Sequence, residues 1–255
     1  MRSNVVVFLA AAGMLAAGDF PYFGKWKFNP VKSDFGESTI TLAQTASSEM
    51  QYTADGQTYI FKIDGKDYPA LAGQTAAWKQ IDANSWETIN KLNGKVLGTD
   101  SSKLSADGRV LTIESKGPKP GGGTFDNTVV LQRVSGSTGI VGKWKTKSLK
   151  SSSPETIELA PSGEDGLLFK SPDFSMTSGA QFDGKDYPVT GPTLAEGWTL
   201  AVKKAGARAF EMTVKQNGKP IYQTTFTASA DGKTLTETGS PVGVNEKYKA
   251  VYERQ

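Results

Sequence analysis

The chain has 255 residues, with 29 Lys and Arg against 26 Asp and Glu for a formal net charge of +3, and it contains neither cysteine nor histidine. Without cysteine there is no disulfide, no thiol nucleophile and no cysteine-ligated metal; without histidine the usual general base near neutral pH and the commonest transition-metal ligand are missing. Ser-His-Asp hydrolysis and imidazole-ligated zinc chemistry are therefore excluded, no cofactor is indicated, and any catalysis would have to rest on Asp, Glu, Lys, Ser or Tyr.

Residues 1–18 read as a secretory signal peptide. Met1-Arg2 is a short positive start, residues 5–17 are apolar and end in an alanine-rich run, and Ala16-Ala17-Gly18 supplies small residues for cleavage before Asp19. The apolar stretch falls short of the ~20 residues that a bilayer-spanning helix needs, and no later segment is long and apolar enough to cross a membrane. The mature chain is expected to be exported, to a periplasm or outside the cell, with no membrane span once the leader is removed.

Beyond the leader the chain is duplicated. Gly24-Lys25-Trp26-Lys27 recurs as Gly142-Lys143-Trp144-Lys145, and Asp64-Gly65-Lys66-Asp67-Tyr68-Pro69 as Asp183-Gly184-Lys185-Asp186-Tyr187-Pro188. Asn93-Gly94-Lys95, Ser105-Ala106-Asp107-Gly108 and Leu111-Thr112 all recur 124 positions later, as Asn217-Gly218-Lys219, Ser229-Ala230-Asp231-Gly232 and Leu235-Thr236. Ordered matches with small drifts in spacing mean duplication with loop insertions. The reading divides the chain into a first copy at 19–134, a short Gly- and Ser-rich linker at 135–140 and a second copy at 141–255.

Each copy reads as all-β. Asn-Gly and Asp-Gly at 93–94, 107–108, 217–218 and 231–232 are hairpin signals, because a type I′ turn needs positive φ at both central residues. Between them the pattern alternates. Phe210, Met212 and Val214 share one face and Glu211, Thr213 and Lys215 the other, while Tyr222, Thr224, Phe226 and Ala228 line up on the next strand. Residues 71–78 would make one helical turn or a lid. The spacing predicts about eight short antiparallel strands per copy, a meandering sheet that closes into a barrel or a sandwich, with closure favoured because it removes exposed sheet edges.

Each copy opens with Gly-Lys-Trp and closes with an arginine. In a closed meander the first and last strands are neighbours, so a guanidinium would lie across the indole and plug one end of each barrel. The expected pairs are Trp26 with Arg133 and Trp144 with Arg254. Gly-x-Trp on the first strand with Arg on the last resembles the hallmark of the calycin superfamily, which includes lipocalins, fatty-acid-binding proteins and avidins. The wording of the repeats, Gly-Lys-Trp-Lys-Phe-Asn-Pro, Asp-Gly-Lys-Asp-Tyr-Pro and Ser-Ala-Asp-Gly, is similar to a group of exported bacterial lipocalin-like proteins. The resemblance implies two tandem calycin-like barrels. It transfers no activity, because fold does not fix function.

The chemistry-bearing candidates follow from that picture. Tyr68 and Tyr187 of the hexapeptides, with Trp86, Phe210, Met212 and Tyr222, would contact a small apolar or amphipathic ligand. The hexapeptide also has a purely structural reading, as a turn whose Tyr covers the core. Glu87 with Lys91, and Glu211 with Lys215, would recognise a polar ligand if their face is interior and are ordinary surface charges if it is not. The glycine-rich run at 117–123 lacks the ending of a phosphate loop and reads as a mobile hairpin loop. Lys143, Lys145, Lys147 and Lys150 around Trp144 read as a solvated strand face and loop, and no nucleic-acid partner is expected. Thr88 and Asn90 stand where the second copy has Met212 and Val214, so any cavity should be larger or more polar in the first copy. The leading expectation is a non-enzymatic binding protein. The alternative is a structural or protein-interaction module with filled barrels, and an enzyme using Asp, Glu, Lys or Tyr is the third reading.

Overall fold

The computed structural model describes residues 20–36, 38–136, 139–152 and 154–255; the leader expected at 1–18 lies outside them. The architecture is all-β, two nearly closed antiparallel barrels of ten strands each, rather than about eight.

One barrel is continuous in sequence. It runs β2 (Thr39–Gln44), β3 (Met50–Ala54), β4 (Gln57–Phe61), β5 (Tyr68–Pro69), β6 (Thr75–Asp82), β7 (Ser85–Leu92), β8 (Lys95–Leu104), β9 (Val110–Pro118), β10 (Thr124–Ser135) and β11 (Gly142–Ser151). The other is composite. It takes β12 (Thr156–Pro161), β13 (Gly166–Ser171), β14 (Met176–Gln181), β15 (Tyr187–Pro188), β16 (Trp198–Lys204), β17 (Ala209–Gln216), β18 (Lys219–Ala228), β19 (Thr234–Pro241) and β20 (Tyr248–Arg254), and is completed by β1 (Gly24–Phe28) from the start of the chain. Part of the excess over the expected strand count is β5 and β15, two residues each, which the hexapeptides contribute.

The two copies have exchanged their first strands. β1 lies between β12 and β20, and β11 lies between β2 and β10. The expected boundary at 135–140 is therefore not an inter-barrel linker: it sits in the connection between β10 and β11, which form a hairpin inside one sheet. The physical reason is local. A connection of this length between antiparallel strands folds back as a hairpin, and strands adjacent in sequence usually pair. With β11 taken into the continuous barrel, β1 is left to fill the equivalent slot in the other. Pro30 has no N–H to donate, and Asn29 Oδ1 accepts the backbone N–H groups of Val31 and Lys32 at 3.1 Å, so β1 ends in a turn. The chain rejoins β20 through the Asp34 and Lys249 bridge before crossing to β2.

The arginine plugs form, with exchanged partners. Arg254 lies 4.2 Å over the ring of Trp26, and Arg133 lies 4.1 Å over that of Trp144. The expected pairs, Trp26 with Arg133 and Trp144 with Arg254, do not occur, because each tryptophan travels with its exchanged strand. Both indoles are fully buried, and each donates its Nε1–H to a carbonyl four residues back, Tyr22 at 2.9 Å and Ile140 at 3.0 Å. Arg254 donates to the carbonyls of Phe23, Pro21 and Gly232, and Arg133 to those of Val141, Gly139 and Gly108. Gly24 and Gly142, at φ +147° and +153°, are required here: a Cβ on either would collide with the guanidinium of its arginine.

The turns follow sequence with one difference. Asn93-Gly94 and Asn217-Gly218 have positive φ at both residues, as a type I′ turn demands. At Asp107 and Asp231 φ is not positive; the glycine alone is left-handed, and the carboxylate instead accepts the hydroxyl of Ser105 or Ser229 at 2.6 Å. Asp55-Gly56, between β3 and β4, is a further turn with both φ values positive. Within residues 71–78 only Leu71–Gly73 is helical, a single 3₁₀ turn.

Candidate functional site

The interiors of the two barrels differ at matched positions. Strand register aligns the pairs Thr88 with Asp100 and Trp86 with Ser102 in the continuous barrel to Met212 with Thr224 and Phe210 with Phe226 in the composite one. In the composite barrel these positions are filled. Phe210 and Phe226 stack at 4.9 Å, Tyr22 meets Phe210 edge-on at 5.0 Å, and Met212 and Val202 close the space around them.

The continuous barrel keeps a large ring, Trp86, in the place of Phe210 but has Thr88 and Ser102 where Met212 and Phe226 stand, and it leaves a cavity of about 200 Å³. Tyr52, Tyr59 and Trp78 form its aromatic wall, Thr88, Asn90, Asp100 and Ser102 its polar wall, and the 3₁₀ turn at Leu71 and Ala72 its roof. The wall is held from behind: Phe61 stacks on Trp78 at 4.7 Å, and Trp78 Nε1–H donates to the Tyr59 hydroxyl at 3.0 Å. Asn90 Nδ2–H donates to Asp100 Oδ2 at 2.8 Å. Thr88 is 3% exposed and its Oγ1 has no hydrogen-bond partner among the described residues. A buried hydroxyl without a partner is uncommon and costs on the order of 1–3 kcal/mol. Burial, ahead of the nearby Asp100 charge, pushes the Tyr59 phenol up to about 12, and Tyr52 is raised still further by its own burial, so both stay neutral donors.

Asn90, Asp100 and Gln74 also border a second space of about 280 Å³, which reaches Phe174 and Thr193 of the composite barrel. The carboxylate of Asp100 thus lines both the pocket and the adjoining cleft.

A third space, also about 280 Å³, lies between the barrels. Phe28, Phe35, Phe125 and Phe174 line it with Glu155 and Glu237. Glu237 accepts the hydroxyls of Tyr248 at 2.6 Å and Tyr252 at 3.1 Å. Burial first, then the negative charges of Glu237 and Asp173, push the Glu155 carboxyl up to about 7, against the pull of Lys119. Lys119 is buried and pairs with Asp173 at 3.3 Å. The glycine-rich run is therefore docked rather than mobile: Gly121 N–H donates to the Asp173 carbonyl at 3.0 Å, and a Cβ on Gly121 would collide with the Pro172 carbonyl. A further depression, about 640 Å³, lies at the β7–β9 side near the β6–β7 hairpin, with Glu87, Ser101, Lys103 and Glu114 among its walls. Among the described residues no group of three or more acidic side chains could hold a metal ion.

None of the six residues expected to contact a ligand lines the 200 Å³ cavity. Tyr68 and Tyr187 fasten their own hexapeptides, donating to Asp64 at 2.9 Å and Asp183 at 3.2 Å. Trp86, Phe210 and Met212 are buried packing residues, with Trp86 reaching only the outer depression. Tyr222 spans the junction, its hydroxyl donating to Asp55 of the other barrel. Glu87 and Glu211 lie on outer faces, and Lys91 and Lys215 pair with the hexapeptide residues Asp67 at 2.8 Å and Asp186 at 2.7 Å. Thr88 and Asn90 are the singled-out positions that the cavity does bring together. Tyr52, Tyr59, Trp78, Asp100 and Ser102 went unnoticed, although Ser102 standing 124 positions before Phe226 carried the signal. Comparison of the chain with family models, with curated proteins and with solved structures finds no match.

Proposed function

We propose that the protein is an exported, non-enzymatic binding protein of calycin-like build, in which the continuous barrel holds a small amphipathic molecule and the composite barrel is a solid structural partner. The observation that carries this reading is the cavity at Thr88 and Ser102, whose counterpart is occupied by Met212 and Phe226. Drug-sized sites run to ~300–1,000 Å³, so a space of about 200 Å³ suits a small ligand, or one whose tail extends into the adjoining cleft.

The filled composite barrel favours the structural reading for that half. Phe182, Phe210 and Phe226 occupy the volume a ligand would need.

The test is to refill the cavity with the other barrel's residues. Full-length protein and the Thr88→Met/Ser102→Phe variant are each incubated with a library of small amphiphiles and examined by native mass spectrometry. The parent is expected to retain ligand and the filled variant to lose at least tenfold of it, with near-ultraviolet circular dichroism unchanged. Equal retention by both would place the binding elsewhere.

A further inference from the structure

Resting on that reading, we propose that the ligand is a small organic cation, an ammonium-bearing molecule whose charge docks on Asp100 and whose apolar body lies against Tyr52, Tyr59 and Trp78. The argument begins with charge. Asp100 lines both the pocket and the cleft, half-buried, and the one hydrogen-bond partner of its carboxylate among the described residues is the neutral amide of Asn90. No Lys or Arg among the described residues forms an ion pair with it; Lys91 and Lys116, the bonded or nearby strand lysines, are held by Asp67 and by Glu114 and Asp126. A carboxylate in a partly desolvated pocket is costly until a cation or several donors meet it.

The walls fit the same partner. Tyr52 and Tyr59 lie 5.2 Å apart, Tyr52 and Trp78 6.4 Å, so the rings stand together on one side of the pocket with the carboxylate among the polar residues that complete it. Ring faces attract a cation by ~0.5–2 kcal/mol, more when water is excluded. An anionic ligand would meet Asp100 as a like charge. A neutral one would leave the carboxylate without compensation.

Isothermal titration calorimetry at pH 7 with benzylamine, benzyl alcohol and benzoate tests this on the full chain, because the three share a ring and differ in charge. Benzylamine is expected to bind at least tenfold tighter than benzyl alcohol, with no detectable benzoate binding. Asp100→Asn, which keeps the shape, should remove that tenfold preference of the amine over the alcohol; Thr88→Met should weaken both ligands by filling the space. If the alcohol binds as tightly as the amine, or benzoate binds best, the cationic assignment falls while the cavity remains the site. If none of the three binds, or Thr88→Met leaves binding intact, the cavity reading falls with it.

Discussion

The two barrels descend from one repeated pattern and have diverged in how they spend the same interior positions. In the composite barrel, Phe210, Met212 and Phe226 interlock with Tyr22 and Val202 into a dense core. In the continuous barrel, Thr88, Asp100 and Ser102 occupy three of the matched places, and the space they leave is walled by Tyr52, Tyr59 and Trp78. The substitutions trade packing energy for a polar pocket. Removing a large core side chain costs about 3–5 kcal/mol where the structure cannot collapse. The continuous barrel offsets part of this with stacked rings behind the pocket, Phe61 on Trp78. The lesson is that after duplication one copy can hold the architecture rigid while the other gives up core volume.

The sharpest way to break this comparison is to cut the strand exchange. Deletion of residues 1–28 removes β1 and with it Trp26, opening the composite barrel between β12 and β20. Hydrogen exchange is expected to show global loss of protection across 156–254 and retention across 39–151. Loss confined to 39–135 would mean that β1 belongs with its own copy after all.

A second measurement probes the chamber between the barrels. The Glu155 carboxyl is raised from its usual value of 4.5 to about 7, so the folded state holds its proton more tightly than the unfolded chain does. Its contribution to stability is fully present below about 4.5 and is lost as pH rises through about 7, a fall of at most about 3 kcal/mol. Urea titrations at pH 4.5 and 7.5 should reveal that fall, and Glu155→Gln should flatten it. An unchanged slope in the variant would assign the effect to another group.

The smallest expected effect sharpens the junction. Tyr222→Phe removes the hydroxyl that donates to Asp55 across the barrels and should cost about 1 kcal/mol, read as a lower denaturation midpoint. A neutral outcome would mean the bond is fully exchanged for water.

Much of the fold was legible because its cues are local. Asn93-Gly94 and Asn217-Gly218 dictate their hairpins through φ alone, and Gly-Lys-Trp with a closing Arg announces the plug. The exchange was not legible: β1 and β11 carry the same Gly-Lys-Trp-Lys, so either can fit either slot, and connection length rather than side-chain pattern decides between them. The site was half legible. Thr88 and Asn90 stood out on a single strand, but Asp100 comes from the neighbouring strand and Tyr52 and Tyr59 from across the barrel, and those meet only through register and closure. The bulky residues that the sequence pattern favours for ligand contact, Phe210 and Met212, belong to the half where bulk excludes a ligand.

The exchanged strand also sets an order of events. Once residue 151 has left the ribosome, every ribbon of the continuous barrel is present and it can close. The segment at 24–28, synthesised before all of them, must wait unpaired until β12 at 156–161 emerges, and one of its edges stays bare until residue 254 arrives, since its two neighbours are β12 and β20. During that interval its bare edge is open to the same slot in another molecule, so crowded refolding should yield linked pairs of chains that dilute refolding avoids.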